Sequence, residues 1–441
     1  MQTPLFKPET EWTAPEILPE FKNAEAVAID LETCDLDLRN SGPGWPWRGG
    51  HVAGIALCFK KGKKFESHYL PIGHESGQNL DKNLVRTYVQ NLCNSKIPKV
   101  FHNALYDLGW LRTEKILRVE GPLFDTMSGA ALLDENRKSY SLDNIGKSWL
   151  NIGKDESLLN EAGASYGLKN IKKDMWKLPP QFVGPYAEQD TLVTLKLWEY
   201  EQEKLIKDDL QEMMELEMSI IPLLIEMRAK GIRVDLDKTE QTKKQLLKQK
   251  AKLEKELYRK FSVKVDVWAS ASIAKCFDAH NLEYPRTAKT AAPSFTKEFL
   301  ESHPHELTDM ILRIRKIDKT RNTFIDGMIL DSTHKGRIHA ELHPLKSDEG
   351  GAVSGRFSCS RPNLQQTSAR DPEFGPMVRN LFLPEKGQKW GVLDYSSQEP
   401  RLTVHYAYKT NQPGAKEAVE NYNKNKDMDY HQMVADLANI S

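Results

Sequence analysis

The sequence predicts an α/β domain with a mixed sheet, followed by a basic α-helical module and a third region of mixed texture. Three observations carry this reading. Residues 25–33 (EAVAIDLET), 51–59 and 64–72 read as strands, and a Lys61-Gly62-Lys63 turn joins the last two as a hairpin. Helical spacing then interleaves with a short strand: a helix over 80–94, a strand over 99–101, and helices over 104–112, 141–150 and 186–203. From 205 the pattern is helical for more than a hundred residues, over 205–228 (stopped by Gly231), 237–261 and 308–329. After Gly336 the texture changes. Residues 337–343 alternate like a strand, 347–370 are rich in Gly, Ser and Arg, and 389–393 read as a strand leading into Asp394. No internal repeat or low-complexity tract interrupts this order. The expected domains are 1–203, 204–330 and 331–441.

Composition narrows the class. With 39% apolar and 28% charged residues in 441, a packed core is available and global disorder is excluded. No stretch approaches the ~20 apolar residues that a membrane span needs, and the amino terminus lacks the apolar run of a secretory signal. Five widely spaced cysteines, none in a C-x-x-C pair, argue against a disulfide framework or a structural zinc site and point to a reducing cytoplasm. His339, His343 and His405 lack ligand spacing and read as structural or solvated. The balance of 62 Lys+Arg against 62 Asp+Glu speaks, as an average, against a nucleic-acid partner. The average conceals an asymmetry: residues 228–321 hold 22 basic and 13 acidic side chains, a net charge of +9.

Chemistry enters with the acidic residues of the first domain. Asp30 and Glu32 lie two apart on a strand and so share a face. Two carboxylates on one face repel each other unless a cation lies between them. Asn103 and Asp107 are four apart on an expected helix, and Tyr186 and Asp190 are four apart on another. Three rigid elements thus each present acidic oxygens, the donor type for Mg²⁺ or Mn²⁺. Two such ions about 3.5–4 Å apart activate a water and stabilise a leaving oxygen in phosphodiester cleavage. Each pair alone is also what a solvated strand end or an ordinary helix face contains.

In order, the segments IDLET (29–33), HNALYD (102–107) and YAEQD (186–190) resemble the three motifs of the four-carboxylate proofreading 3′–5′ exonucleases whose third motif carries a tyrosine. The resemblance implies a ribonuclease-H-like fold. It implies metal ligation by Asp30, Glu32, Asp107 and Asp190, orientation of the attacking water by Tyr186, and contact of Thr33 and Asn103 with the terminal nucleotide. All motif positions are filled, so an active nuclease is expected.

The stretch SGRFSCSRPNLQQ (354–366) sets Arg356 and Arg361 among hydroxyls and amides, with Arg370 close behind. Guanidinium forks pair with phosphates, and amides read groove edges. By composition alone the stretch is equally a solvated loop. The following segment, WGVLDYSSQEPR (390–401), delivers Asp394 and then a helix start in which Pro400 is tolerated. It resembles motif A of the family A DNA polymerases, the bacterial polymerase I type, and especially phage members lacking a 5′-nuclease. The G-R-F-S-x-x-x-P-N-L-Q run resembles that family's primer–template contact segment, and EMRAKGIRVD (226–235) resembles its passage from exonuclease to thumb.

By this resemblance Asp394 is a polymerase metal ligand and Glu399 disfavours ribonucleotides. Arg356, Asn363, Gln365, Arg370 and Arg401 fall on substrate- or DNA-binding positions. The basic helices are a thumb gripping the phosphate backbone. Ser397, Gln398, Pro400 and Gln366-Thr367-Ser368 depart from the commonest motif forms. A larger departure is that neither a fingers helix nor a second palm carboxylate in a His-Asp-Glu context is present, and one carboxylate cannot hold a two-metal site. The expectation is therefore a DNA exonuclease using two Mg²⁺ or Mn²⁺ ions, joined to the amino-terminal part of a polymerase that takes dNTP only once completed. The alternatives are a subunit of a split polymerase with a second chain, or a DNA-binding clamp without polymerase activity.

Overall fold

The computed structural model describes Pro4, residues 7–367 and 371–425, and Asp429, Gln432 and Ala435. Residues 1–383 form one compact unit and residues 384–441 a second.

The first unit begins with a five-stranded sheet: β1 (Ala26–Asp35), β2 (Gly50–Lys61), β3 (Lys64–Pro71), β4 (Lys99–Phe101) and β5 (Leu123–Asp125). Their order is β3-β2-β1-β4-β5. The β1–β2–β3 part is antiparallel and β4 and β5 run parallel to β1, which is the mixed sheet expected. Helix α1 (Lys82–Cys93) leads into β4. Then α2 (Ala104–Thr113) precedes β5, and α3 (Thr126–Leu133), α4 (Ser157–Ser165) and the single turn α5 (Ile171–Asp174) follow it. The 28-residue α6 (Pro180–Lys207) lies along β1, β2 and β3. β1 reads as a near-continuous apolar run because both of its faces are covered, and Ile29, Leu57, Val100 and Trp110 are buried in the core it shares.

Helical residues dominate next. α7 (Gln211–Lys230) packs on α2 and α3, and β6 (Ile232–Val234) leads into α8 (Leu236–Phe261). α9 (Ser270–Ala279) and α10 (Glu306–Lys319) close a second core around Phe277, Phe295 and Ile311. A small sheet of β11 (Phe382–Leu383), β6, β8 (Arg337–Ile338) and β7 (Thr333–His334) gathers a third core with Ile325 and Phe374. β9 (Glu341–His343) pairs with β10 (Ser358–Ser360). Arg228, at the end of α7, donates to the Pro43 carbonyl and to Glu341, both at 2.9 Å, and Arg361 takes the other Glu341 oxygen at 2.8 Å. This nearly buried ion triad ties α7 to β9. His339 and His343 are structural, bonding the Arg228 carbonyl and the Ser360 hydroxyl.

Several expected elements differ. The helix over 205–228 is two helices. α6 ends at Lys207, Asp209 takes a left-handed conformation (φ 56°), and α7 starts at Gln211. The Asp208-Asp209 pair accounts for the break, because Asp tolerates that conformation better than the flanking Leu, Lys or Gln. The helix over 141–150 is one α-turn (Leu142–Ile145) followed by a π-helical turn (Gly146–Leu150), and α10 likewise widens into a π-helix over Thr320–Leu330. The strand over 337–343 is split into β8 and β9.

The largest correction falls in the second unit. Residues 389–393 form no strand: Val392 is 84% and Leu393 96% exposed. An apolar run becomes a strand only beside a partner, and no strand is present among the described residues of 384–441. That unit consists of α11 (Gln398–Lys409) packed on α12 (Ala415–Lys424), with Pro400 in the first turn of α11, as expected.

One buried network links the sheet to the start of α6. Gly54 stands opposite Glu32 across the β1–β2 ladder, and any side chain at 54 would collide with the Tyr69 phenol. The Tyr69 hydroxyl lies 2.7 Å from His74 Nε2, and His74 Nδ1 lies 2.8 Å from the Leu178 carbonyl. The carbonyl accepts only, so Nδ1 carries the proton and Nε2 accepts from Tyr69. Burial lowers the His74 pKa from its ordinary value of 6.5 to about 4. The unfolded chain therefore takes up a proton first, and stability is lost as pH falls from 6.5 toward 4. Over that window His74 costs roughly 3 kcal/mol. His74→Gln is expected to flatten this part of the pH–stability curve in chemical denaturation; a curve parallel to wild type would refute the assignment.

Candidate active site

Four acidic side chains meet at the middle of the first sheet. β1 places Asp30 and Glu32 two apart on one face, and a register shift between Glu32 and Thr33 marks where the ladder with β2 becomes irregular. α2 contributes Asp107, which is 2% exposed; its Oδ1 accepts the Leu31 N–H at 3.1 Å. That one bond fixes the second segment to the peptide between the two carboxylates of the first. α6 contributes Tyr186 and Asp190, one helical turn apart, with Asp190 6% exposed.

The electrostatics follow from burial. It pushes all four carboxyls up: Asp30 to about 7, Glu32 and Asp107 well above the usual carboxylate range, and Asp190 upward too. Mutual repulsion adds to this, since Asp30 faces Asp190 and Glu32 faces both. Lys154 opposes it. Its Nζ lies 2.7 Å from Asp190 Oδ2 and 3.4 Å from the Tyr186 hydroxyl, with the ammonium 5.1 Å from the Tyr186 ring centre. Burial raises the Tyr186 pKa far out of the physiological range, so the phenol stays protonated.

Lys154 is the residue that sequence reasoning missed, because a lone lysine in a Gly-Lys-Asp loop carries no signal. Asp125 is another. Its carboxylate accepts the N–H groups of Asn103 and Ala104 at 2.9 and 3.1 Å and caps α3 through Met127 N–H at 3.0 Å. The helical spacing assigned to Asn103 is corrected here. Asn103 precedes α2 in a left-handed conformation (φ 75°), so it does not share a helix face with Asp107. Thr33 Oγ1 lies 2.5 Å from the Tyr106 hydroxyl, which places Thr33 beside the Asn103 turn.

Among the described residues, no three carboxylate, His or Cys side chains converge tightly enough to enclose an ion. Lys154 occupies Asp190 Oδ2 and the Leu31 amide occupies Asp107 Oδ1. The donor set nevertheless fits hard divalent cations. Three buried carboxylates and the half-buried Asp30 face one directly paired ammonium, and Asp190 Oδ1 is buried without a hydrogen-bond partner.

The remaining expected residues lie elsewhere. Asn363 accepts the Gln365 N–H at 3.1 Å, and Gln365 Nε2 donates to the Phe357 carbonyl at 3.0 Å, so both shape the exposed 354–366 loop. Arg356 is exposed on the same loop, and Arg370 lies outside the described residues. In the second unit Asp394 is exposed, Glu399 stands in the first turn of α11, and Arg401 donates to the Ser396 carbonyl at 2.9 Å while covering the Tyr422 ring.

A site that holds protons near neutrality must release them to take up metal. The apparent affinity for Mn²⁺ is expected to rise roughly tenfold between about pH 6 and about pH 7, with net proton release. Calorimetry in two buffers of different ionisation heat measures this; a pH-independent affinity without proton release would contradict the assigned electrostatics.

Comparison with known proteins matches residues 6–206 to a family described as 3′-5′ exonuclease and residues 236–440 to DNA polymerase family A. A DNA-directed DNA polymerase of Pseudomonas phage M6 is 36% identical over 465 aligned residues, spanning 100% of this chain and 69% of that protein. The DNA polymerase DpoZ of Acinetobacter phage SH-Ab 15497 is 32% identical, covering 96% of this chain and 67% of its own length. The DNA polymerase DpoZ of Salmonella phage PMBT28 is 30% identical with the same coverage. Among solved structures, the POL domain of Pol1 from M. smegmatis, in complex with DNA primer-template and dNTP, superposes with a TM-score of 0.66. It has 18% identity over 95% of this chain and 70% of that one, a likeness of fold. This protein belongs to the family A DNA polymerases and carries their 3′-5′ exonuclease domain.

Proposed function

We propose that the first unit removes nucleotides from the 3′ end of DNA by hydrolysis at two divalent ions, proofreading synthesis during replication. The observation that carries this reading is the meeting of Asp30, Glu32, Asp107 and Asp190 from three separate elements in one buried cluster. These four would hold Mg²⁺ or Mn²⁺, which supplies a water acidic enough to attack and a positive charge for the leaving 3′ oxygen.

The side chains divide the remaining work. Tyr186 keeps its proton, so it acts as a hydrogen-bonding group that aims the water and not as a phenolate base. Lys154 fixes Tyr186 and Asp190 relative to each other. Thr33 and Asn103, joined through Tyr106, whose hydroxyl meets Thr33 and whose N–H donates to the Asn103 carbonyl, line the place of the terminal nucleotide. The water oxygen adds to phosphorus as the bond to the 3′ oxygen breaks, and a nucleoside 5′-monophosphate leaves. The double variant Asp30→Ala, Glu32→Ala is expected to lose at least ~10³-fold in Mg²⁺-dependent hydrolysis of single-stranded DNA, about 4 kcal/mol of barrier. Undiminished hydrolysis would remove the site assignment.

The polymerase-type residues are proposed to bind duplex primer–template. α8 carries Lys244, Lys248, Lys252, Lys255 and Arg259 on one exposed face, a stripe about 22 Å long at 1.5 Å per residue. Leu246, Leu257 and Phe261 turn the opposite face into the core, while Lys243 and Lys250 are consumed by Asp326 and Asp318. Arg356, Asn363, Gln365 and Arg370 would add loop contacts. Asp394, Glu399 and Arg401 would serve nucleotidyl transfer from dNTP, together with the second palm carboxylate and fingers helix that such chemistry needs. A cytoplasmic place of action belongs to the same proposal, resting on phage relatives and five free cysteines. Replacing Lys244, Lys248 and Lys252 by Ala is expected to reduce the salt slope of duplex binding by roughly 2–3. An unchanged slope would place the grip elsewhere.

A further inference from the structure

We propose that the lysine-rich segment Gly167–Lys177 is a phosphate track that guides single-stranded DNA into the carboxylate site. The proposal rests on the exonuclease reading and adds a binding surface to it. The segment holds Lys169, Lys172, Lys173 and Lys177 against one acid, Asp174. α5 and the turn after it (Met175–Lys177) pack on β1, the strand that carries Asp30 and Glu32.

The platform is anchored at several points. Asn170 caps it by accepting the Lys173 N–H at 3.2 Å. Ile171 packs so closely on Gly163 of α4 that a side chain there would clash. Met175 is buried. The Trp176 carbonyl accepts the Glu75 N–H at 2.9 Å, and its ring stands edge-on to His51 with centroids 5.5 Å apart.

Its charges are only partly spent. Lys172 pairs with Glu156 and Lys177 with Asp174, at 2.7 and 2.8 Å. Lys169 and Lys173 are exposed and have no ion pair among the described residues. Lys172 is electrostatically within reach of Glu32 and Asp190, and Lys173 of Asp37 just beyond the end of β1. At the other end of the sheet Lys60 pairs with Glu25 and Glu199 and Lys61 with Glu66, while Lys63 and Lys64 stand exposed at the β2–β3 turn, away from the carboxylates, and serve as the control.

The physical need is direct. DNA is a polyanion, and a pocket of four carboxylates repels it before any metal-bound phosphate is reached. A cationic rim offsets that repulsion at the approach. The occupant is a single strand, because Glu32, Asp107 and Asp190 are each under 10% exposed and a duplex end is too broad to bring its terminal phosphodiester down to them.

The test compares wild type with the triple variant Lys169→Gln, Lys172→Gln, Lys173→Gln and with a control, Lys63→Gln, Lys64→Gln, at the β2–β3 turn. For an oligothymidylate with Mg²⁺, the triple variant is expected to raise KM about tenfold and to reduce the salt slope by roughly 2, at ~0.7 per lost phosphate contact. In the pair Lys169→Gln, Lys173→Gln, which leaves Lys172 and its influence on Glu32 and Asp190 in place, kcat and the hydrolysis of the p-nitrophenyl ester of thymidine 5′-monophosphate, which has no upstream phosphate, stay at the wild-type level. Binding of labelled oligothymidylate in EDTA reads the same slope without catalysis, so it separates failure of the track from failure of the exonuclease reading. Wild-type slopes in the triple variant, or an equal loss in the control, would overturn the proposal.

Discussion

The repulsion among Asp30, Glu32, Asp107 and Asp190, three of them buried and Asp30 half-buried, is the constraint around which the first unit is built. A protein interior disfavours even one uncompensated charge, and here burial drives every one of the four toward its protonated form. Such a cluster persists because its scaffold is over-determined. The Leu31 amide holds Asp107, Lys154 holds Asp190, and Asp125 caps the turn that enters α2. The sheet beneath is locked by the Tyr69–His74–Leu178 chain opposite Glu32.

The same constraint organises the surface. On the proposed reading a site made of anions admits an anionic polymer, so positive charge has to stand at its approach. The Gly167–Lys177 platform answers that need next to β1, and the outer stripe of α8 is a second, longer cationic surface within the helical region. Equal totals of acidic and basic residues therefore describe a chain in which the two signs are sorted into different places.

The polymerase-type residues present a contrast. The exonuclease-type carboxylates come from a strand and two helices inside a shared core, and they are rigid by construction. Asn363 and Gln365 instead shape a surface loop, and Asp394 follows an exposed apolar run without a strand partner. A motif alone does not build a site. Its backbone needs neighbours with which to pair.

The sequence was most legible where the interactions are local. Four of the five strands of the first sheet, the Lys61–Lys63 turn, α8 and the paired positions Asp30/Glu32 and Tyr186/Asp190 follow from periods of two or of 3.6 residues, which the chain carries by itself, whereas the three-residue β5 is too short to show a period. Ordered motif spacing also grouped Asp107 with the carboxylates beside which the fold places it. What failed locally has identifiable causes: Asp209 and Asn103 adopt left-handed backbone that periodicity does not encode, and 389–393 met no partner. The tertiary structure alone decided that the Leu31 amide faces Asp107, that Lys154 reaches Asp190 across 36 residues, and that the platform holding Lys169–Lys173 lies against β1. Those contacts join residues far apart in the chain, and their existence depends on burial and packing, which have no period to read.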